Sequence, residues 1–223
     1  MKTAAIIPAW NEARAIGPVI RSAAPHVDTV IVVDDGSTDA TAEAARVAGA
    51  VVLCHPINCG PGAATMTGIY AARFMGIDAI VTLDADGQHN PEDIPRLFKP
   101  IQKGEADLVI GSRFKNRGTF MPFIRRVFNG VGNIFTFVVT GRYVSDSQSG
   151  FKAFGPDAVR SIHLHLSGFE FCSEIIREVV QHGWRVTEVP IKVVYSEYTL
   201  AKGQSFSRGV ITACKMLLRS FLR

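Results

Sequence analysis

No run of apolar residues in this sequence of 223 approaches the roughly 20 that a membrane-spanning helix needs, and the longest weakly polar stretch, residues 127–141, falls short. The first eight residues hold too short an apolar run for a signal peptide and no cleavage pattern. A cytoplasmic protein is therefore expected, at most peripheral on the cytoplasmic face of a membrane. Cysteines are few: Cys54, Cys59, Cys172 and Cys214 lack the paired C-x-x-C spacing of a zinc site, and small buried side chains are their expected role. A ligand cluster of Cys54, His55 and Cys59 is the less favoured alternative. Charge of one sign is also scarce, since a net +4 scattered along the chain argues against a nucleic-acid partner. Nothing in the composition marks a linker, so residues 1–223 are read as a single domain.

What is present is a series of apolar strands that end in polar groups. Residues 3–8 form the first, left through the loop Ala9-Trp10-Asn11-Glu12, which carries an aromatic plate, an amide and a carboxylate. A helical pattern follows over 13–24. Residues 29–33 form a second strand ending in Asp34-Asp35-Gly36-Ser37-Thr38-Asp39; Ser37 or Asp39 can cap the next helix while Asp35 is left to accept from a ribose or base, although all the acids could be turn and cap residues. A third short strand, 50–53, precedes Asn58-Cys59-Gly60-Pro61-Gly62-Ala63-Ala64, whose glycines allow a close backbone approach. This is no dinucleotide fingerprint, because Thr65 stands at the third glycine position and the loop follows the third strand, so hydride transfer is disfavoured.

The fourth strand, Ile80-Val81-Thr82-Leu83, opens into Asp84-Ala85-Asp86-Gly87-Gln88-His89. Side chains two apart on an extended chain share a face, roughly 6.5 Å apart. Asp84 and Asp86 can therefore share one hard divalent cation, or divide the work between a cation and a sugar hydroxyl, with Gln88 adding a neutral oxygen. An ordinary Asx turn is the alternative, whereas an EF-hand loop fails because His89 occupies its glycine position. A helix over about 91–103 and a fifth strand, 107–110, ending in Gly111-Ser112-Arg113, complete a strand–helix alternation. That alternation argues for an α/β fold with a mostly parallel central sheet and helices on both faces, with ligands at the carboxyl ends of the strands.

Beyond Arg113 the pattern changes: Arg117, Arg125 and Arg126 are interleaved with Phe114, Phe120, Phe123 and Phe128 before the apolar stretch 131–139. These residues either cover the sheet as amphipathic helices or lie on a bilayer while the arginines hold a lipid phosphate. A polar loop, Asp146-Ser147-Gln148-Ser149-Gly150-Phe151-Lys152, enters a short extended piece; Phe169-Glu170-Phe171 opens a helix to about His182; residues 184–195 alternate as a strand in which Pro190 demands an edge or a bulge. The tail is a basic helix over about 208–223.

In order and spacing, Ile7-Pro8-Ala9-Trp10-Asn11-Glu12, Val33-Asp34-Asp35-Gly36-Ser37-Thr38-Asp39, Asp84-Ala85-Asp86-Gly87-Gln88-His89, Gly111-Ser112-Arg113, the 146–152 loop and Glu188-Val189-Pro190 make the chain resemble the inverting family 2 glycosyltransferases. The resemblance runs to about Tyr195 and is closest to the dolichyl-phosphate mannose and glucose synthase-like group, with its GT-A fold and Rossmann-like nucleotide-binding half. It implies that Pro8, Trp10, Glu12, Val33 and Asp35 hold the nucleoside of a nucleotide-diphosphate sugar of GDP-mannose or UDP-glucose type. It also implies that Asp84, Ala85, Asp86 and Arg113 meet the sugar diphosphate. By the same resemblance Asp86 and Gln88 coordinate Mg2+ or Mn2+, while Arg117, Arg125 and Lys152 meet the phosphate of a polyprenyl (dolichyl or undecaprenyl) acceptor. Asp84, Asp86 and Arg113 are then the catalytic set. A phosphate acceptor is already anionic and needs no strong base; a saccharide acceptor of the cell envelope, the alternative, would need one, with Glu170, Glu174 or Asp146 as candidates. Two features depart from the group: Gly203-Gln204-Ser205-Phe206 lacks the lysine of its Gly-x-Ser-Lys motif, leaving Lys202 or Arg208 as substitutes, and the transmembrane helices that many relatives append are not seen, so membrane contact is expected to be peripheral.

Overall fold

The computed structural model describes residues 1–115 and 123–193, the side chains of Ile124 and Arg125 excepted. Strand β1 (Thr3–Ala9) leads to helix α1 (Ile16–Ala23), β2 (Thr29–Asp34), α2 (Thr41–Val47), β3 (Val51–Cys54), α3 (Pro61–Phe74), β4 (Ala79–Thr82), α4 (Ile94–Gln102) and β5 (Leu108–Ser112). The second half adds α5 (Phe123–Thr140), β6 (Lys152–Phe154), α6 (Pro156–Ser161), α7 (Phe171–His182) and β7 (Val186–Pro190).

The strands form one seven-stranded sheet in the order β3-β2-β1-β4-β6-β5-β7. All pairs are parallel except those of β6, which runs antiparallel to both β4 and β5. Both faces of the sheet are covered, which is why the central strands read as unbroken apolar runs. Along β1, Ala4 and Ile6 enter one core layer and Ala5, Ile7 and Ala9 the other. The first layer packs under α3 and α7 and the second under α1 and α4. The order in which successive strands are added reverses at β1, with β2 and β3 on one side and β4 on the other, a switch point that places a crevice at the carboxyl ends of these parallel strands.

Pro190 closes the edge strand β7, where a missing ladder donor costs least. That strand begins at Val186, later than the alternation suggested; Trp184 precedes it and stacks on His182 at 5.0 Å, and the expected end at 194–195 lies outside the described residues. Of the two residues expected to cap α2, Asp39 does so, accepting from the N–H of Thr41 at 3.0 Å and from its hydroxyl, since the N-cap residue Ala40 has no side-chain acceptor. Among the described residues no helix is long and apolar enough to cross a membrane.

Candidate active site

β4 ends at the crevice, and its alternation continues one step beyond the hydrogen-bonded ladder. Leu83 and Ala85 are buried in the core, which turns Asp84 and Asp86 outward. Asp84 lies in a recess crowded by protein yet keeps 55% of its side chain exposed. Gly87, at φ +77°, reverses the chain, a turn that an L side chain would resist. It brings Gln88 back to Asp86, whose carboxylate accepts from the Gln88 N–H at 2.9 Å and from the Gln88 amide nitrogen.

His89 closes this loop. Its ring is buried and stacked on Phe151 at 5.0 Å, and Nδ1 accepts from the Asp84 N–H at 3.2 Å. Burial pulls its pKa down to about 4, so the ring is neutral and an acceptor at physiological pH. Gly150 fits under Asp84 from the other side: a Cβ there would stand 3.0 Å from both Cγ and Oδ2 of Asp84, and closer still to Oδ1. Neither role was visible in the sequence, although both residues sit inside motifs that were.

The basic wall is fixed as firmly. Arg113 donates through Nε and one Nη to the two oxygens of Asp146, at 2.8 and 2.7 Å, and its N–H adds a third bond at 2.9 Å. Asp146 is fully buried, and its loop hangs on Glu188, which accepts from the Ser145 N–H at 2.7 Å and from the Ser145 hydroxyl at 2.8 Å. This gives Glu188-Val189-Pro190 a structural purpose. Lys152 is buried and donates to the carbonyls of Ser147, at 3.0 Å, and Ser149. It thus lies beneath the loop instead of presenting its ammonium to solvent.

These groups form one electrostatic cluster. Burial raises the pKa of Asp84, with Glu12 adding to the rise and Arg113 and Lys152 opposing it. Burial also raises that of Asp86, and the neighbouring Asp84 charge raises it further. Two carboxylates held together against their own repulsion, with a side-chain amide beside them, make an all-oxygen donor set that suits a hard divalent cation. The Gln88 amide would turn its oxygen inward to join it.

On the other side of the crevice, the loops after β1 and β2 are stitched together. Asn11 takes φ +53°, and its side-chain oxygen accepts from the Thr38 N–H at 2.9 Å while its own N–H donates to Ser37 Oγ at 2.9 Å. Pro8 is half-buried, Trp10 lies largely exposed on this loop, and Glu12 approaches Asp84 closely enough to shift its pKa. Ala85 is buried. Val33 is fully buried in the core, so its side chain does not reach the crevice. Asp35 is not left open as the loop reading expected. It accepts from His55 Nδ1 at 2.7 Å, from the Cys59 N–H at 2.9 Å and from the Gly60 N–H at 2.7 Å. The glycines of that loop do allow a close approach, and the partner is the chain itself: the Gly62 N–H donates to the Ser167 carbonyl at 2.8 Å.

Helix α5 is seated by a polar seam. Asn133 and Thr136 are buried; the Asn133 amide donates to the Ser145 carbonyl at 2.6 Å and accepts from the Ser147 N–H at 2.9 Å, and the Thr136 hydroxyl meets Ser173 Oγ at 2.8 Å. Its apolar stripe, Phe123, Val127, Val131, Ile134 and Val138, faces outward. Between Asp107 and Asp146 the sequence has no acidic residue but six basic ones, Arg113, Lys115, Arg117, Arg125, Arg126 and Arg142. Arg117, the side chain of Arg125, the 203–206 motif and the tail helix lie outside the described residues.

The sequence model described as glycosyl transferase family 2 matches residues 4–162. The chain is 36% identical over 235 residues to a UDP-N-acetylglucosamine–dolichyl-phosphate N-acetylglucosaminyltransferase of Methanococcus voltae, covering 96% of this chain and 94% of that protein. It is 33% identical over 224 residues to an undecaprenyl-phosphate mannosyltransferase of Micrococcus luteus, covering 95% and 90%. A crystal structure of glucosyl-3-phosphoglycerate synthase from Mycobacterium tuberculosis, in complex with Mn2+, UDP-glucose and phosphoglyceric acid, superposes with a TM-score of 0.77 at 19% identity, over 99% of this chain and 78% of that one. That likeness establishes the shared fold.

Proposed function

The chain belongs to glycosyl transferase family 2, and from that premise we propose that it moves a sugar from a nucleotide-diphosphate sugar to the phosphate of a polyprenyl phosphate, in one displacement with inversion. The lipid acceptor rests first on α5, a helix held down by polar residues and turning its apolar stripe outward beside the site. An apolar face of that length, in a segment with only basic charges, suits an anionic membrane surface, where the acceptor's phosphate would sit at headgroup depth. The two relatives named above act, by their names, on acceptors of this class.

The carboxylates agree. A saccharide acceptor needs a base, and two of the three candidates are already engaged: Asp146 by Arg113, and Glu174 by the backbone N–H groups of His165 and Leu166 at 3.1 and 2.8 Å, while the third, Glu170, is buried. A phosphate oxygen is already nucleophilic at neutral pH and dispenses with that help. Arg113, immobilised by Asp146, faces the charge that develops on the departing diphosphate, and its rigidity means little reorganisation during reaction. Magnesium or manganese, held by Asp86 and Gln88, would offset the same charge. Asp84 orients the sugar, Trp10 and Glu12 line the nucleoside end, and Lys152 supports Asp84 from below. Arg117 and Arg125 are assigned to the acceptor phosphate.

Purified protein, a polyprenyl phosphate and either metal, incubated with labelled UDP-GlcNAc, UDP-glucose or GDP-mannose, test the reading by the label that enters the organic phase. Transfer from one donor, lost in Asp86→Asn, supports it. Label from no donor, in protein that still binds nucleotide, moves the acceptor to a soluble or envelope saccharide.

A further inference from the structure

The loop that closes Asp35 places three different ligand types together. A carboxylate oxygen of Asp35, a ring nitrogen of His55 and Cys59 Sγ lie within 4.8 Å of one another, and among the described residues this is the one cluster of three or more His, Cys, Asp or Glu groups so arranged. We propose that Asp35, His55 and Cys59 form a binding site for a thiophilic divalent cation of the zinc class, separate in chemistry from the all-oxygen site at Asp86 and Gln88. Imidazole, thiolate and carboxylate together favour tetrahedral zinc or cobalt over magnesium, which asks for an octahedron of oxygens.

Two surrounding contacts already have the form such a site requires. A metal-bound imidazole usually donates its remote N–H to a fixed acceptor, and His55 Nε2 stands 3.0 Å from Thr67 Oγ1 on α3. A ligating carboxylate is usually held by its second oxygen, and Asp35 Oδ2 accepts from the Gly60 N–H at 2.7 Å. With bonds of roughly 2.0 Å to oxygen and nitrogen and 2.3 Å to sulfur, tetrahedral ligands stand roughly 3.3–3.6 Å apart. The Asp35–His55 contact, 2.7 Å, must therefore widen by roughly half an ångström, and Cys59, exposed two residues before α3, must swing inward. On binding, the Cys59 thiol releases its proton to solvent, and the imidazole proton resides on Nε2, donating to Thr67, so that Nδ1 is free for the metal. The fourth position opens to solvent beside Cys59. The site shares Asp35 with the nucleoside-binding set that the family resemblance implies, so cation and nucleotide would compete for it, whereas the cobalt measurement needs neither donor nor acceptor.

Cobalt provides the test, because a thiolate ligand gives Co2+ an intense near-ultraviolet charge-transfer band that oxygen ligands do not. The full chain, titrated with Co2+ in excess Mg2+, should develop this band to saturation at one equivalent. The band should vanish in Cys59→Ser, persist in Cys54→Ser and Asp86→Asn, and require roughly 10- to 100-fold more cobalt in Thr67→Val. In the unaltered protein, Zn2+ should slow alkylation of Cys59 by iodoacetamide at least tenfold while leaving Cys54 reactive. No band in the wild type, a band that survives Cys59→Ser, or equal protection of both thiols would overturn the proposal.

Discussion

Gly150 offers a clean separation of fold from catalysis. A methyl group there would meet Asp84 Cγ and Oδ2 at 3.0 Å and Oδ1 more closely, and all three nearest atoms belong to that one carboxylate. Ordinary carbon contacts begin near 3.5 Å, so Gly150→Ala drives the Asp84 carboxylate back by roughly 0.5–1 Å. Asp84 keeps 55% of its side chain exposed and holds no core packing, so stability should change by less than about 1 kcal/mol, within the range of ordinary surface substitutions. Misplacement of that size at a group that orients a reacting sugar costs roughly 10- to 100-fold in rate. The assay is kcat for label transfer to polyprenyl phosphate, with a melting curve and nucleotide titration on the same preparation. A variant that melts and binds nucleotide normally but turns over 10- to 100-fold more slowly meets the expectation. Turnover within threefold of wild type would show that Asp84 need not be held where the structure holds it, and a protein that fails to fold would show that Gly150 serves packing.

Other perturbations reach the remaining parts of the site. The raised pKa of Asp86 means that the folded protein holds its proton more tightly than the unfolded chain does, so the charge on Asp86 lowers stability increasingly as pH rises above the ordinary carboxylate range. Metal-free Asp86→Asn should therefore melt higher than wild type at pH 7, lose that advantage in acid, and lose the metal-induced rise in melting temperature, which at a hundredfold excess over Kd is worth about 2.7 kcal/mol. His89 carries the opposite sign: with a folded pKa of about 4 against an ordinary 6.5, stability falls as pH drops from about 6.5 to about 4, by up to roughly 3 kcal/mol. Denaturant titrations of His89→Gln across that range should show a flatter pH dependence than wild type. On α5, Ile134 and Val138 are 64% and 74% exposed, so the double change to Glu should leave melting and nucleotide binding intact; sedimentation with anionic vesicles should fall at least tenfold, and lipid-directed transfer with it.

How much of this the sequence disclosed follows from how far apart the cooperating residues lie. The strand ends at Asp35, Asp84 and Arg113 were legible because each closes a local apolar run, and the periodicity that marks a buried strand also marks where it stops. The antiparallel insertion of β6 between β4 and β5 was not legible, since three residues, Lys152–Phe154, are too few for any pattern and their placement is set by tertiary pairing. Asp35 looked available because its donors, His55, Cys59 and Gly60, arrive 20 to 25 positions later. Arg113 likewise gave no hint of Asp146, 33 positions away. For α5 the sequence left open whether the segment covers the sheet or lies on a bilayer, and it did not show which side of the helix would meet the protein; Asn133 and Thr136, on the buried face, decided that.

The central claim is that the nucleophile arrives already charged, so that no carboxylate need act as a base. It is tested most directly by offering the same donor and the same protein either a polyprenyl phosphate or the corresponding polyprenol, with product measured by mass spectrometry of the organic phase. The account predicts a glycosylated phosphate and no glycosylated alcohol. Comparable product from the alcohol would contradict it, because a hydroxyl acceptor would require a base.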